Sequence, residues 1–205
     1  DGLADLAGYL LARGGTATKS AEELEERLAF LAASLNSSYG ADRGNVSLNL
    51  LAKDLDEGLA ILREVLTAPR FQDDKLKLRR DQLLNDMKSR NDDTADIEQR
   101  ERGFLSFGEG YYTNRYSTKA SLESITREDL LAFHRRWVDP KNVIVAVAGD
   151  FGKGVTRAQM IAKVDALFAK WPFKGEAAPP VPTPSHVMAP GLYVVDKDVN
   201  QGRVS

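Results

Sequence analysis

Leucines recur at helical spacing from the first residues of the chain: Leu3, Leu6 and Leu10 share one face, and Leu24, Leu28 and Leu31 share another. The spacing predicts a short helix stopped by left-handed backbone at Gly14 and Gly15, then a second helix over about 21–33. Ser20-Ala-Glu-Glu23 ahead of the second helix is a capping box, in which hydroxyl and carboxylate each serve the other residue's N–H. The period then shortens. Val46, Leu48 and Leu50 alternate with polar residues, and the turn residues Ala41-Asp-Arg-Gly44 make 34–40 and 45–51 the arms of a β-hairpin. Its first arm, Ser34, Leu35, Asn36, Ser37, Ser38, Tyr39 and Gly40, is short and polar, as suits an edge strand.

Helical spacing returns after Asp54. Leu55, Leu59, Leu62 and Leu66 form a stripe that ends before Pro69, and Leu76, Leu83, Leu84 and Met87 form the inward side of a longer helix reaching about Arg90. A further helix is expected over Thr94–Phe107. Tyr111, Tyr112 and Tyr116 then crowd a loop whose rings should pack on the core. Ser121–Ser124 reads as a short turn, and Thr126 as the N-cap of a helix carrying Leu130, Leu131, Phe133 and Trp137. Ile144-Val-Ala-Val-Ala-Gly149 is an unbroken apolar run, the pattern of a central strand covered on both faces. A last helix follows from Thr156 to about Trp171, with Ile161, Val164, Leu167 and Phe168 inward. Residues 175–190 are rich in Pro and Ala and read as an extended connector. Leu192–Asp196 is expected to be a strand, with another beginning near Asn200.

Composition narrows the function classes. The net charge of −2 argues against a general nucleic-acid or membrane-surface binder, and no apolar run is long enough for a bilayer-spanning helix. Without Cys there are no disulfides and no thiolate metal sites. Lys75, Lys77, Arg79 and Arg80 form a local basic run, read as a solvated face beside Asp73, Asp74 and Asp81. Only two histidines occur. His134 lies on a helix beside Trp137 and is read as packed or at the surface, while His186 lies in the connector, so they form no ligand pair.

The order of these landmarks carries a resemblance. Gly2-Leu-Ala with the following Leu-Leu and glycine pair, Ser20-Ala-Glu-Glu-Leu, Asp54 to Phe71, Thr126 to Leu130 and Pro140 to Asp150 together resemble the pitrilysin/insulysin (inverzincin) metallopeptidases, which include the mitochondrial processing peptidases. The resemblance implies an α+β fold: a mostly antiparallel sheet packed against several helices, truncated at both ends. It implies one such domain over 1–190, including the connector 175–190, with 191–205 leading into a second homologous domain.

In that family the first helix carries His-x-x-Glu-His, two zinc ligands flanking a general base. The matching residues here are Asp5-Leu-Ala-Gly8-Tyr9, and the position of the third ligand, a Glu on the long helix, falls on Asp86. A catalytic zinc needs about three protein ligands and an open position. The expectation is therefore no catalytic residue and no metal in this chain, zinc being confined to catalytic relatives, with Gly8 leaving space where the base would stand. The resemblance implies a non-catalytic domain that pairs with a catalytic subunit or a second homologous domain around unfolded or extended peptides. The expected peptide-binding edge is the strand from Ser34 to Gly40. The alternative is a portion of an active zinc endopeptidase whose ligands lie outside this chain. The expected setting is a bacterial periplasm or cell envelope, with a mitochondrial one as the alternative.

Overall fold

The computed structural model describes residues 1–151, 154–172, 174–198 and 204. Around α1 (Leu3–Leu11) the chain arranges α2 (Ala21–Phe30), the hairpin of β1 (Ser34–Tyr39) and β2 (Gly44–Asn49), α3 (Leu55–Thr67) and α4 (Asp73–Ser89). Then come α5 (Thr94–Phe107), α6 (Lys119–Ser124), α7 (Arg127–Trp137) and α8 (Arg157–Phe168). The capping box expected at Ser20 for α2 is present, and among the described residues three more stand at Thr118 for α6, Thr126 for α7 and Thr156 for α8.

α1 is buried on more than one face. Leu6, Ala7, Gly8, Leu10 and Leu11 are all inaccessible, so β1, α4 and α7 can pack against it from several sides. The glycine pair divides its labour. Only Gly15 is left-handed (φ +75°), whereas Gly14 lies flush against Phe71, where a Cβ would stand 3.0 Å from Cα. Here the 69–72 loop is pinned to the end of α1: Gln72 N–H donates to Gly14 O (2.9 Å) and Arg70 N–H to Gly15 O (3.0 Å).

α2 stops three residues earlier than expected. Ala32 turns left-handed (φ +47°), and the N–H groups of Ala33 and Ala32 return to Leu28 O and Ala29 O, closing a Schellman motif without glycine. β1 and β2 pair antiparallel from Ser34↔Asn49 to Tyr39↔Gly44. Leu35 and Ser37 point inward, Ser34, Asn36 and Ser38 outward. Among the described residues this is the whole sheet, so each strand is paired on one edge only.

Several expectations are corrected. The stripe of α3 is rotated: Gly58, Ile61 and Val65 are buried, while Leu62 and Leu66 are half-buried. Ser121–Ser124 belongs to a helix, α6, capped by Thr118 and Ser121. The tyrosines of 111–116 do not enter the core. Asn114 does, its amide donating to Gly103 O (2.7 Å) and Gly108 O (2.8 Å), while Tyr111 stacks on Phe107. In α8 only Leu167 is buried, and Ile161 faces solvent. Neither Ile144–Gly149 nor Leu192–Asp196 is a strand; Ile144 is 97% exposed and Leu192 91%. An apolar run becomes a central strand only with a hydrogen-bonded neighbour on each edge, and no described strand lies beside either run. The strand expected near Asn200 falls outside the described residues.

Among the described residues no helix is long and apolar enough to cross a membrane.

Candidate functional site

Asp5, Gly8 and Tyr9 lie on successive turns of α1, which fixes what each can meet. Gly8 faces β1. Its carbonyl accepts from Ser37 Oγ–H (2.6 Å), and Ser37 Oγ in turn accepts from Ala12 N–H (2.9 Å), so one buried hydroxyl ties the last turn of α1 to the strand. A Cβ on Gly8 would stand 2.1 Å from Tyr39 N and 2.8 Å from Ser38 C. The expected space at Gly8 is therefore absent: strand backbone occupies it. Only a residue without a side chain permits this approach.

Asp5 and Tyr9 meet a cation instead of each other. The Arg79 guanidinium, projecting from α4, lies 4.2 Å from the centre of the Tyr9 ring, and its Nη2 is 3.8 Å from the Asp5 carboxylate. Arg13 approaches the same ring, 4.7 Å from its centre, and donates to Asn36 Oδ1 (3.4 Å) on β1. Asp86 is exposed and sits on α4 about two turns beyond Arg79. Its recorded contact is through its backbone, Ser89 Oγ donating to Asp86 O (3.2 Å).

The basic run thus does structural work that a solvated face would not. Lys75 pairs with Glu22 on α2 (2.6 Å), and Arg80 donates to Ile125 O (2.6 Å), leaving Lys77 exposed. Charge spacing in the sequence marked these residues as basic, but their targets, from 45 to 74 residues away, left no local signal.

A zinc ion needs about three converging lone-pair donors. Beside Asp5 and Tyr9 stands a guanidinium, a positive group that repels a dication, and the Tyr9 ring is engaged through its face. Among the described residues no group of three or more His, Cys, Asp or Glu side chains is arranged to hold a metal ion. The residues at these positions do not fit zinc.

His134 is buried in α7. Its Nε2–H donates to Leu66 O (2.9 Å), and its ring meets Phe71 edge-on at 6.0 Å. Burial disfavours the imidazolium and pushes its pKa down to about 4. It is a packed residue, as its place beside Trp137 implied.

Two family models divide the chain. That for insulinase (peptidase family M16) matches residues 1–103, and that for the peptidase M16 inactive domain matches residues 124–205. The chain belongs to the insulinase family, peptidase family M16. An uncharacterized zinc protease of Mycobacterium leprae is 26% identical over 207 residues, covering 99% of this chain and 45% of that protein. Mitochondrial-processing peptidase subunit alpha-1 of Dictyostelium discoideum is 25% identical, covering 80% of this chain and 25% of that protein. In fold the chain is similar to a peptidase M16 inactive domain from Pseudomonas fluorescens, with a TM-score of 0.77, 24% identity, and coverage of 90% of this chain and 44% of that one. The chain thus spans less than half the length of these relatives.

Proposed function

We propose that this chain is a non-catalytic M16 domain that partners a catalytic half or subunit around extended peptides, and that it takes no zinc of its own. The observation that carries the reading is the Arg79 guanidinium standing between Asp5 and Tyr9 while Gly8 rests on the strand. A pseudo-active site with a built-in cation has no use for a metal. In the same reading residues 191–205 lead toward a second homologous domain. The setting we favour is a bacterial periplasm or cell envelope; the likeness to a mitochondrial-processing peptidase subunit supports the mitochondrial alternative.

Peptide binding is assigned to β1 and the residue after it: Ser34, Leu35, Asn36, Ser37, Ser38, Tyr39 and Gly40. Two features support it: the strand is paired with β2 on one edge only among the described residues, and its inward side chains are held by α1. A rigid strand with an unpaired edge can add an extended peptide through backbone hydrogen bonds, with no metal involved.

A second reading is favoured by the name of the mycobacterial relative, a zinc protease more than twice as long as this chain. In it, zinc ligands elsewhere in the protein make the whole an endopeptidase. Metal analysis separates the two. The chain should purify with far less than one zinc per molecule, and a chelator should leave its melting temperature unchanged. Stoichiometric zinc on this chain would overturn the proposal, whereas zinc found only on a longer protein containing this chain would favour the second reading for that protein. Titration with labelled extended peptides tests the edge. No binding at millimolar concentration would remove β1 from the reading.

A further inference from the structure

Three aromatic rings form a ladder beyond the end of α5. Phe107 and Tyr111 are stacked at 5.2 Å with 20° between their planes, and Tyr112 follows at 4.7 Å from Tyr111. The loop that presents them is fixed from beneath by the buried Asn114 amide, bonded to Gly103 O and Gly108 O. Phe107 is exposed and Tyr111 and Tyr112 are half-buried, so the cluster presents an apolar face to a neighbouring segment.

One segment reaches them through a hydrogen bond. The connector carries the sequence Pro179-Pro-Val-Pro182, a Pro-x-x-Pro spacing, and Tyr111 Oη–H donates to Pro182 O (2.8 Å). Farther on, the His186 ring comes within 3.4 Å of where a Cβ would stand on Gly108. Beyond it the chain reaches the other end of α5, where Lys197 Nζ donates to Asn91 O and to Asp92 O (2.7 Å). α5 has 14 residues and is about 21 Å long, a span that the intervening residues cover in extended form.

We propose that the Phe107–Tyr111–Tyr112 platform is a binding site for extended proline-rich peptides of Pro-x-x-Pro type, filled in cis by residues 179–182 of this chain. The chemistry matches on both sides. A polyproline helix makes no internal hydrogen bonds, so its carbonyls seek outside donors, and its ring faces pack on aromatic surfaces at little entropic cost. Tyr111 supplies both the donor and one of the rings. The cis ligand is held loosely, with Val181 58% and Phe107 41% exposed, so a peptide from another molecule can compete for the site. Tethering gives the cis segment an effective concentration in the millimolar range, which hides the site from weaker competitors. Tyr112 adjoins Asp42 and Arg43 in the hairpin turn, but the platform uses rings and a hydroxyl rather than the backbone edge of β1, so it does not depend on the reading above.

The test uses a fluorescent peptide with the sequence of residues 177–190 and the full chain. Wild-type protein should bind it weakly. The variant Pro179→Gly/Pro180→Gly/Pro182→Gly, which loosens the cis segment without touching the folded core, should bind it at least tenfold more tightly. Adding Tyr111→Phe to that variant keeps the ring and removes the donor, and should weaken binding about fivefold. A peptide with its prolines replaced by glycine should not bind. Equal binding by wild type and the loosened variant, no binding by the loosened variant at millimolar peptide, or indifference to the prolines would each overturn the proposal. Circular dichroism of each variant confirms that the helices are retained.

Discussion

The contact of α1 with β1 and the segment from Val143 to Ala148 are opposites in how they treat apolar sequence. In the first, Leu6, Leu10 and Leu11 are at most 1% exposed, and helix and strand approach until only glycine fits between them. In the second, Ile144, Val145 and Val147 form an even more hydrophobic run and remain in solvent. The difference lies in satisfaction of the backbone. A helix meets its own hydrogen-bonding needs and can be buried by whatever surface is apolar, but a strand cannot be buried until its N–H and C=O groups find another strand.

The sharpest way to break that contrast is at its tightest point. Gly8→Glu should destabilise the fold by more than about 3 kcal/mol, because the side chain can be admitted only if β1 moves off α1. Chemical denaturation of purified protein would measure it. A loss below about 1 kcal/mol would show that the helix and strand separate freely, contrary to the packing described.

Acid tests the same core from another side. His134 has a folded pKa of about 4 against an ordinary value of 6.5, so between these values the unfolded chain holds the extra proton. Stability should be fully present above about pH 6.5 and fall progressively toward pH 4, by up to roughly 3 kcal/mol. Urea midpoints across that range should drop, and His134→Gln should flatten the drop. An unchanged slope in the variant would place the acid sensitivity in other groups.

At the edge of the core, Ala32 holds a left-handed conformation that glycine adopts freely. Ala32→Gly should raise stability by about 1 kcal/mol, read as a higher melting temperature. The smallest effect belongs to the exposed segment. Ile144→Ser should change stability by no more than about 0.5 kcal/mol, since the side chain is 97% exposed. A loss of 2 kcal/mol or more would mean that this run is buried in solution.

The helices were legible in the sequence because their signals are local: caps lie within three residues of the groups they serve, and α5 begins and ends where its spacing places it. The hairpin was legible for the same reason, its turn being four residues wide. The rest depends on distant partners. Nothing near Gly8 announces Tyr39, nothing near Arg79 announces Asp5, and an isoleucine run reads alike whether or not a neighbouring strand exists. The family resemblance drew attention to Asp5, Gly8 and Tyr9, but the guanidinium beside Asp5 and Tyr9 and the closed space at Gly8 came only from the packing.

The approach of β1 to Gly8 also limits which single mutations the domain can accept. With a strand backbone seated at position 8, a carboxylate introduced there meets a steric penalty before it can serve any reaction, and imidazoles at 5 and 9 would first have to displace Arg79 of α4. Each change made alone costs packing before it can contribute a ligand. Single changes on the exposed faces meet no such barrier, so the mutational paths open to this domain lie along its surface.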